Sequence, residues 1–114
     1  MANIIRDFYA REHNVMSPNY LTQEMAIVIC NHVVCVDGFT MSVQASSYHY
    51  SSPRYFLPSG DYSHWEIMQM TGQDEPLLDA YKGDEVYPYV PTDIVNQVII
   101  KHGGLAENTV QIIK

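Results

Sequence analysis

The sequence predicts an α+β fold, a small antiparallel sheet packed with two or three helices. Three observations lead there. Asp37-Gly38 stands between two apolar stretches and signals a β-hairpin. Ile4, Ile5, Phe8 and Tyr9, and again Ile94, Val95, Val98 and Ile99, recur at helical spacing. The chain is 114 residues long, 46% apolar and 17% charged, which suits a single domain with a modest core. No linker divides 1–114. The segments 1–20 and 106–114 stand outside the most specific patterns and suit assembly extensions.

The first element is a short amphipathic helix, with Arg6, Asp7, Arg11 and Glu12 opposite the apolar stripe. Ser17-Pro18 has the form of an N-cap followed by proline at the first helical position. The run Tyr20 to Ile29 reads as a second helix, although Ile27-Val28-Ile29 is β-branched and equally compatible with a strand. A hairpin over about 33–46 follows. A two-residue type I′ turn at Asp37-Gly38 would set Val36 opposite Phe39 and Cys35 opposite Thr40. In the second arm Phe39, Met41, Val43 and Ala45 alternate with Thr40, Ser42, Gln44 and Ser46. The apolar set is expected inside and the polar row outside.

Ser52-Pro53 and Leu57-Pro58-Ser59-Gly60 mark a loop, and about 62–70 reads as a strand with Trp65 and Ile67 on one side. Thr71 through Gly83 is expected to be irregular and acidic. Tyr87-Pro88-Tyr89-Val90-Pro91 is extended, because each proline biases its predecessor away from helix. The last helix opens at Pro91 with Asp93 in its first turn. Lys101, His102 and Gly103 close it. Thr109 to Ile113 suits a closing edge strand. The first helix and this strand are least obviously consumed by one core, so a homo-oligomer is expected.

Composition narrows the function classes. Six Lys and Arg against thirteen Asp and Glu leave a net charge of −7. Asp61, Glu66, Asp74, Glu75, Asp79, Asp84, Glu85 and Asp93 have only Lys82 among them as a base. Such a surface repels phosphate backbones, so direct nucleic-acid binding is not expected. It suits a basic protein surface, for which Asp74, Glu75, Asp84 and Glu85 are the candidate contacts. The plain alternative is a solubilising face. No apolar run approaches the roughly 20 residues that span a bilayer, and no secretory signal is visible, so a soluble protein is expected.

Cys30 and Cys35 offer no disulfide framework and lie among apolar neighbours, as buried thiols do. Cys30-x-His32-x-x-Cys35 lacks the paired spacing of structural zinc, so no metal ligands are assigned. No nucleophile elbow or phosphate-binding glycine loop is present. The sequence therefore calls for no cofactor and no catalytic residue, with His49 and His64 the bases of an enzymatic alternative. The segment worth singling out is Thr40 to Tyr55. Gln44, Ser46, Tyr48, His49, Tyr50 and Arg54 combine hydroxyls, an amide, flat rings and one guanidinium. That mixture suits a nucleotide-like ligand or an aromatic-rich interface. The plain alternative is a solvated sheet face capped by tyrosines.

Cys35-x-Asp37-Gly38-Phe39-x-Met41-Ser42-Val43-Gln44-Ala45-Ser46, with Tyr50-x-x-Pro53-Arg54, resembles small uncharacterised bacteriophage-encoded proteins. The likeness continues through Glu75-Pro76-Leu77-Leu78, Tyr87-Pro88-Tyr89-Val90-Pro91 and Lys101-His102-Gly103-Gly104. It covers about residues 30 to 105. The resemblance implies phage origin and action in the cytoplasm of the infected bacterial host. It also implies an accessory role, met by two kinds of stoichiometric binder. One is an acidic inhibitor of a bacterial defence or host protein. The other is a sponge that sequesters a nucleotide-like signalling molecule.

Overall fold

The structure, a computed structural model, describes residues 2–16 and 27–106. Ser17-Pro18, the run from Tyr20 to Ala26 and the strand expected at Thr109 to Ile113 lie outside the described residues. The fold is α+β, with a four-stranded and a two-stranded antiparallel sheet packed with helices.

Helix α1 (Ile4–Glu12) forms where the apolar spacing places it, and Asn3 caps it by accepting the Arg6 N–H. Ile5, Phe8 and Tyr9 are buried in this chain's own core, so the stripe needs no second copy to cover it. The chain passes directly into β1 (His13–Val15), which pairs antiparallel with β2 (Val28–Cys30). The described end of the expected second helix is strand. Val28, Ile29 and Cys30 form a strand, the alternative that the β-branched Val28 and Ile29 left open.

The larger sheet runs in the order β3 (Val33–Val34), β4 (Thr40–Gln44), β5 (His64–Gln69) and β6 (Tyr87–Pro91), all antiparallel neighbours. The β3–β4 hairpin differs from the sequence expectation by one residue of register. Val34 faces Thr40 and Val33 faces Met41. The connection spans three residues, closed by the Cys35 N–H on Phe39 C=O at 2.9 Å and the Gly38 N–H on Cys35 C=O at 2.9 Å. A type I′ turn needs a positive φ at both central residues. Gly38 has φ of 94°, but Asp37 keeps an ordinary φ and instead accepts the Phe39 N–H on its carboxylate. One step of register reverses every side chain of a strand. Cys35 accordingly turns into the core, 1% exposed, and Val36 turns out, 65% exposed.

The apolar row of β4 is buried as expected, together with Trp65 and Ile67 of β5. The polar row does not stay outside. Gln44 and Ser46 are buried, because the second sheet lies against the end of β4. The Gln44 side chain takes the Cys30 N–H on Oε1 at 2.7 Å and gives an N–H to Cys30 C=O at 2.9 Å. Its amide thus completes a ladder rung between two sheets that share no backbone pairing.

Pro76–Tyr81 is a 3-10 helix with Leu78 buried, where the sequence suggested irregular chain. Helix α2 (Thr92–Lys101) buries Val95, Val98 and Ile99, and packs on α1, β5, β6 and the 3-10 helix. Asn96 joins the helices by accepting the Ile5 N–H at 2.9 Å.

Gly60 fixes the loop beneath α1. Its φ is +79°, and a Cβ there would stand 2.5 Å from the Arg6 carbonyl oxygen. Gly60→Ala is expected to cost about 3 kcal/mol, through backbone strain plus forced separation from α1. Gly72 has φ of +73° but nothing within 4 Å of an added Cβ. Gly72→Ala should therefore cost only about 1 kcal/mol, and urea unfolding of the two variants separates strain from contact.

Candidate functional site: an acidic cleft beside a tyrosine

The loop after β4 is built by short-range hydrogen bonds. Ser46 Oγ accepts the Tyr48 N–H at 3.1 Å and lies 2.7 Å from His49 Nδ1. The His49 and Ser51 amides then turn onto Ser46 C=O and His49 C=O, and the Ser52-Pro53 bond is cis. These contacts bring Tyr50 over the sheet. Its N–H donates to Glu66 Oε2 of β5 at 3.0 Å, and its carbonyl accepts the Tyr89 N–H of β6 at 3.1 Å. Tyr89 takes a φ of 53°, rare for a residue with a side chain, beside the irregular β5–β6 register. The Tyr50 and Tyr89 rings then stand 5.9 Å apart, and the Arg54 guanidinium lies 4.9 Å from the Tyr50 ring centre.

Beside this platform opens a cleft of about 550 Å³, lined by Tyr50, Glu66, Gly83, Asp84, Glu85, Val86 and Pro88. The Gly83 N–H closes on Val86 C=O at 2.9 Å, so Asp84 and Glu85 occupy the tip of a turn. Three carboxylates and no lysine or arginine stand in this lining. Such a cleft attracts a guanidinium or ammonium group, which can also stack on Tyr50, and it opposes a phosphate.

The sequence-derived sets are thereby divided and partly joined. Tyr50 comes from the ligand set and Asp84 and Glu85 from the partner set, yet all three line one cleft. Arg54 and Tyr48 are exposed nearby in the same loop. Gln44 and Ser46 have their polar atoms engaged inside the protein and offer no surface for recognition. Asp74 is exposed outside the cleft lining. Glu75 is no surface acid at all, because its side chain is fully buried against Lys101 and His102. Glu66 belonged only to the general run of acids. Its place between inward Trp65 and Ile67 was the readable sign that it faces the other side.

His49 is half-buried, and burial pushes its ring below the ordinary imidazole range, against the pull of Glu66 and with help from Arg54. It is therefore neutral near pH 7. Its Nδ1 is occupied by Ser46, whose hydroxyl is itself buried. His64 Nδ1 lies 2.8 Å from Ser63 Oγ at the start of β5. Both cysteines are buried, and burial pushes the Cys30 thiol well above its usual range and the Cys35 thiol up to about 11. Among the described residues no three His, Cys, Asp or Glu side chains are grouped to hold a metal. Nor is any described helix long and apolar enough to cross a membrane.

No protein-family model, no curated protein and no solved structure matches this chain.

Proposed function

We propose that this protein acts by stoichiometric binding, its acidic cleft receiving a basic segment of a partner protein and so masking it. The observation that carries this reading is that Glu66, Asp84 and Glu85 line one cleft together with Tyr50. Carboxylates steer a basic surface in, and a half-exposed tyrosine gives the arriving side chain an apolar and cation-binding wall. The resemblance to phage-encoded proteins supports a host protein, a component of bacterial defence, as the class of partner. The site of action in this reading is the cytoplasm of the infected cell.

A sponge for a nucleotide-like signal draws support from the Tyr50, Tyr89 and Arg54 platform. The neighbouring carboxylates weigh against it, since they would oppose the ligand's phosphates with Arg54 as counterweight. The inhibitor is therefore the preferred reading.

The test is affinity capture from infected cells, followed by titration of the recovered host protein with the purified chain. Substituting Glu66→Gln, Asp84→Asn and Glu85→Gln together is expected to weaken the complex at least about tenfold, and raising salt should do the same to the parent. Equal binding by parent and triple variant would refute the cleft as the contact surface. A small anionic molecule released unchanged from the denatured protein would favour the sponge.

A further inference from the structure

We propose that His102 is a proton-dependent latch, fastening the chain that follows α2 across the outer edge of β3. That edge would otherwise present unpaired backbone groups. It is covered by a short strap. The Val36 N–H donates to Gly104 C=O at 2.9 Å, the Asp37 N–H to His102 C=O at 3.2 Å and the Ala106 N–H to Val34 C=O at 2.8 Å. Cys35 faces Leu105 in an antiparallel bridge. The strap begins at the His102 ring, which stacks on Phe39 with centres 4.1 Å apart.

The geometry of that ring dictates its charge. Nδ1 lies 2.6 Å from Asp37 Oδ2, and Nε2 lies 2.6 Å from Glu75 Oε1. An ionised carboxylate only accepts hydrogen bonds, so both ring nitrogens must carry protons. The latch is closed by an imidazolium. A neutral ring has one N–H and must release one partner. Glu75 is fully buried, with its other oxygen held by Lys101 Nζ at 3.0 Å and by the Leu77 N–H at 3.0 Å. Asp37 is half exposed and can be solvated. The Asp37 contact is therefore the one that opens.

The groups facing the ring are Asp37 from the hairpin loop, Glu75 from the turn before the 3-10 helix, Lys101 from α2 through Glu75, and the uncharged face of Phe39. The Cys35 thiol feels Asp37 from the core side. Burial works against the imidazolium, but the hydrogen bonds to Asp37 and Glu75 outweigh it and hold His102 above its ordinary range. On this account the strap is fast in mildly acidic to neutral solution. As the ring deprotonates, the strap loosens and frees the β3 edge for pairing with another strand.

Amide hydrogen exchange and ring titration by NMR on the full chain test this. The His102 ring should titrate above free histidine. Protection of the Val36 and Ala106 amides, corrected for intrinsic exchange, should fall severalfold through that midpoint. The amides of β5 should not change. Asp37→Asn, at a half-exposed site that leaves the core intact, should lower the ring's midpoint. Unchanged protection across the titration, a ring that titrates at or below the free value, or an unmoved midpoint in Asp37→Asn would each overturn the latch.

Discussion

Glu75→Gln should destabilise the protein by about 3 kcal/mol near pH 6, because it breaks a buried ion pair from one side. The glutamine has one acceptor oxygen where the structure needs two. Whichever way it is placed, its NH2 meets either the His102 N–H or the Lys101 ammonium and Leu77 N–H. The loss has a pH signature. Burial would raise the Glu75 carboxyl, yet the Leu77 N–H, His102 and Lys101 hold it below its ordinary 4.5. The Phe39 N–H and His102 hold Asp37 below its ordinary 3.8. Both carboxylates thus add stability above those values and lose it as pH falls through their folded-state values. His102 is the reverse. Held above its ordinary 6.5, it adds stability below that value and loses it as pH rises through its folded-state value.

The cluster is therefore strongest between the ordinary carboxylate and imidazole ranges. The gap between parent and Glu75→Gln should be widest there. Above the His102 midpoint it should narrow, since a neutral ring nitrogen can accept from the glutamine NH2. Urea unfolding at about pH 5.5 and about pH 9 measures both arms. A gap that does not change between them would mean that His102 is not the group that titrates.

Much of the fold was legible because its elements announce themselves locally. Ile5, Phe8 and Tyr9 of α1, Phe39, Met41, Val43 and Ala45 along β4, and Val95, Val98 and Ile99 of α2 are each patterned within one element, and all are buried. What could not be read depends on distant chain. Asp37-Gly38 is compatible with a two-residue or a three-residue loop. The choice rests on the Asp37 carboxylate accepting the Phe39 N–H and on its bond to His102, 65 residues away. The acidic run around Glu75 gave no sign of which member has buried basic partners, because those partners lie 26 and 27 residues on.

The same holds for the site. Tyr50, Asp84 and Glu85 were each marked by sequence, for two different reasons, but only the β5–β6 pairing brings them together. Other residues far apart in sequence also meet in space. Asp37, Phe39, Glu75 and His102 form the latch, and Tyr50, Arg54 and Tyr89 form the aromatic platform.

Gln44→Leu decides what the polar row of β4 is for. Were Gln44 a recognition residue at the surface, the change would leave stability within about 0.5 kcal/mol. The structure gives it a different task. Leucine has similar volume but no amide, so the Cys30 N–H and C=O both lose the partner they find at Gln44. Cys30 is fully buried, and water cannot replace that partner without opening the sheet. Two orphaned backbone groups at about 1–3 kcal/mol each put the expected loss near 3 kcal/mol. Gln44→Glu should be at least as harmful, since its carboxylate would face the Cys30 carbonyl without the N–H that bridges them. Gln44→Asn, with the right chemistry one methylene short, should recover little. Equilibrium unfolding of the three variants orders these costs. Near-parent stability in the leucine variant would mean the two sheets are held together by something other than this amide.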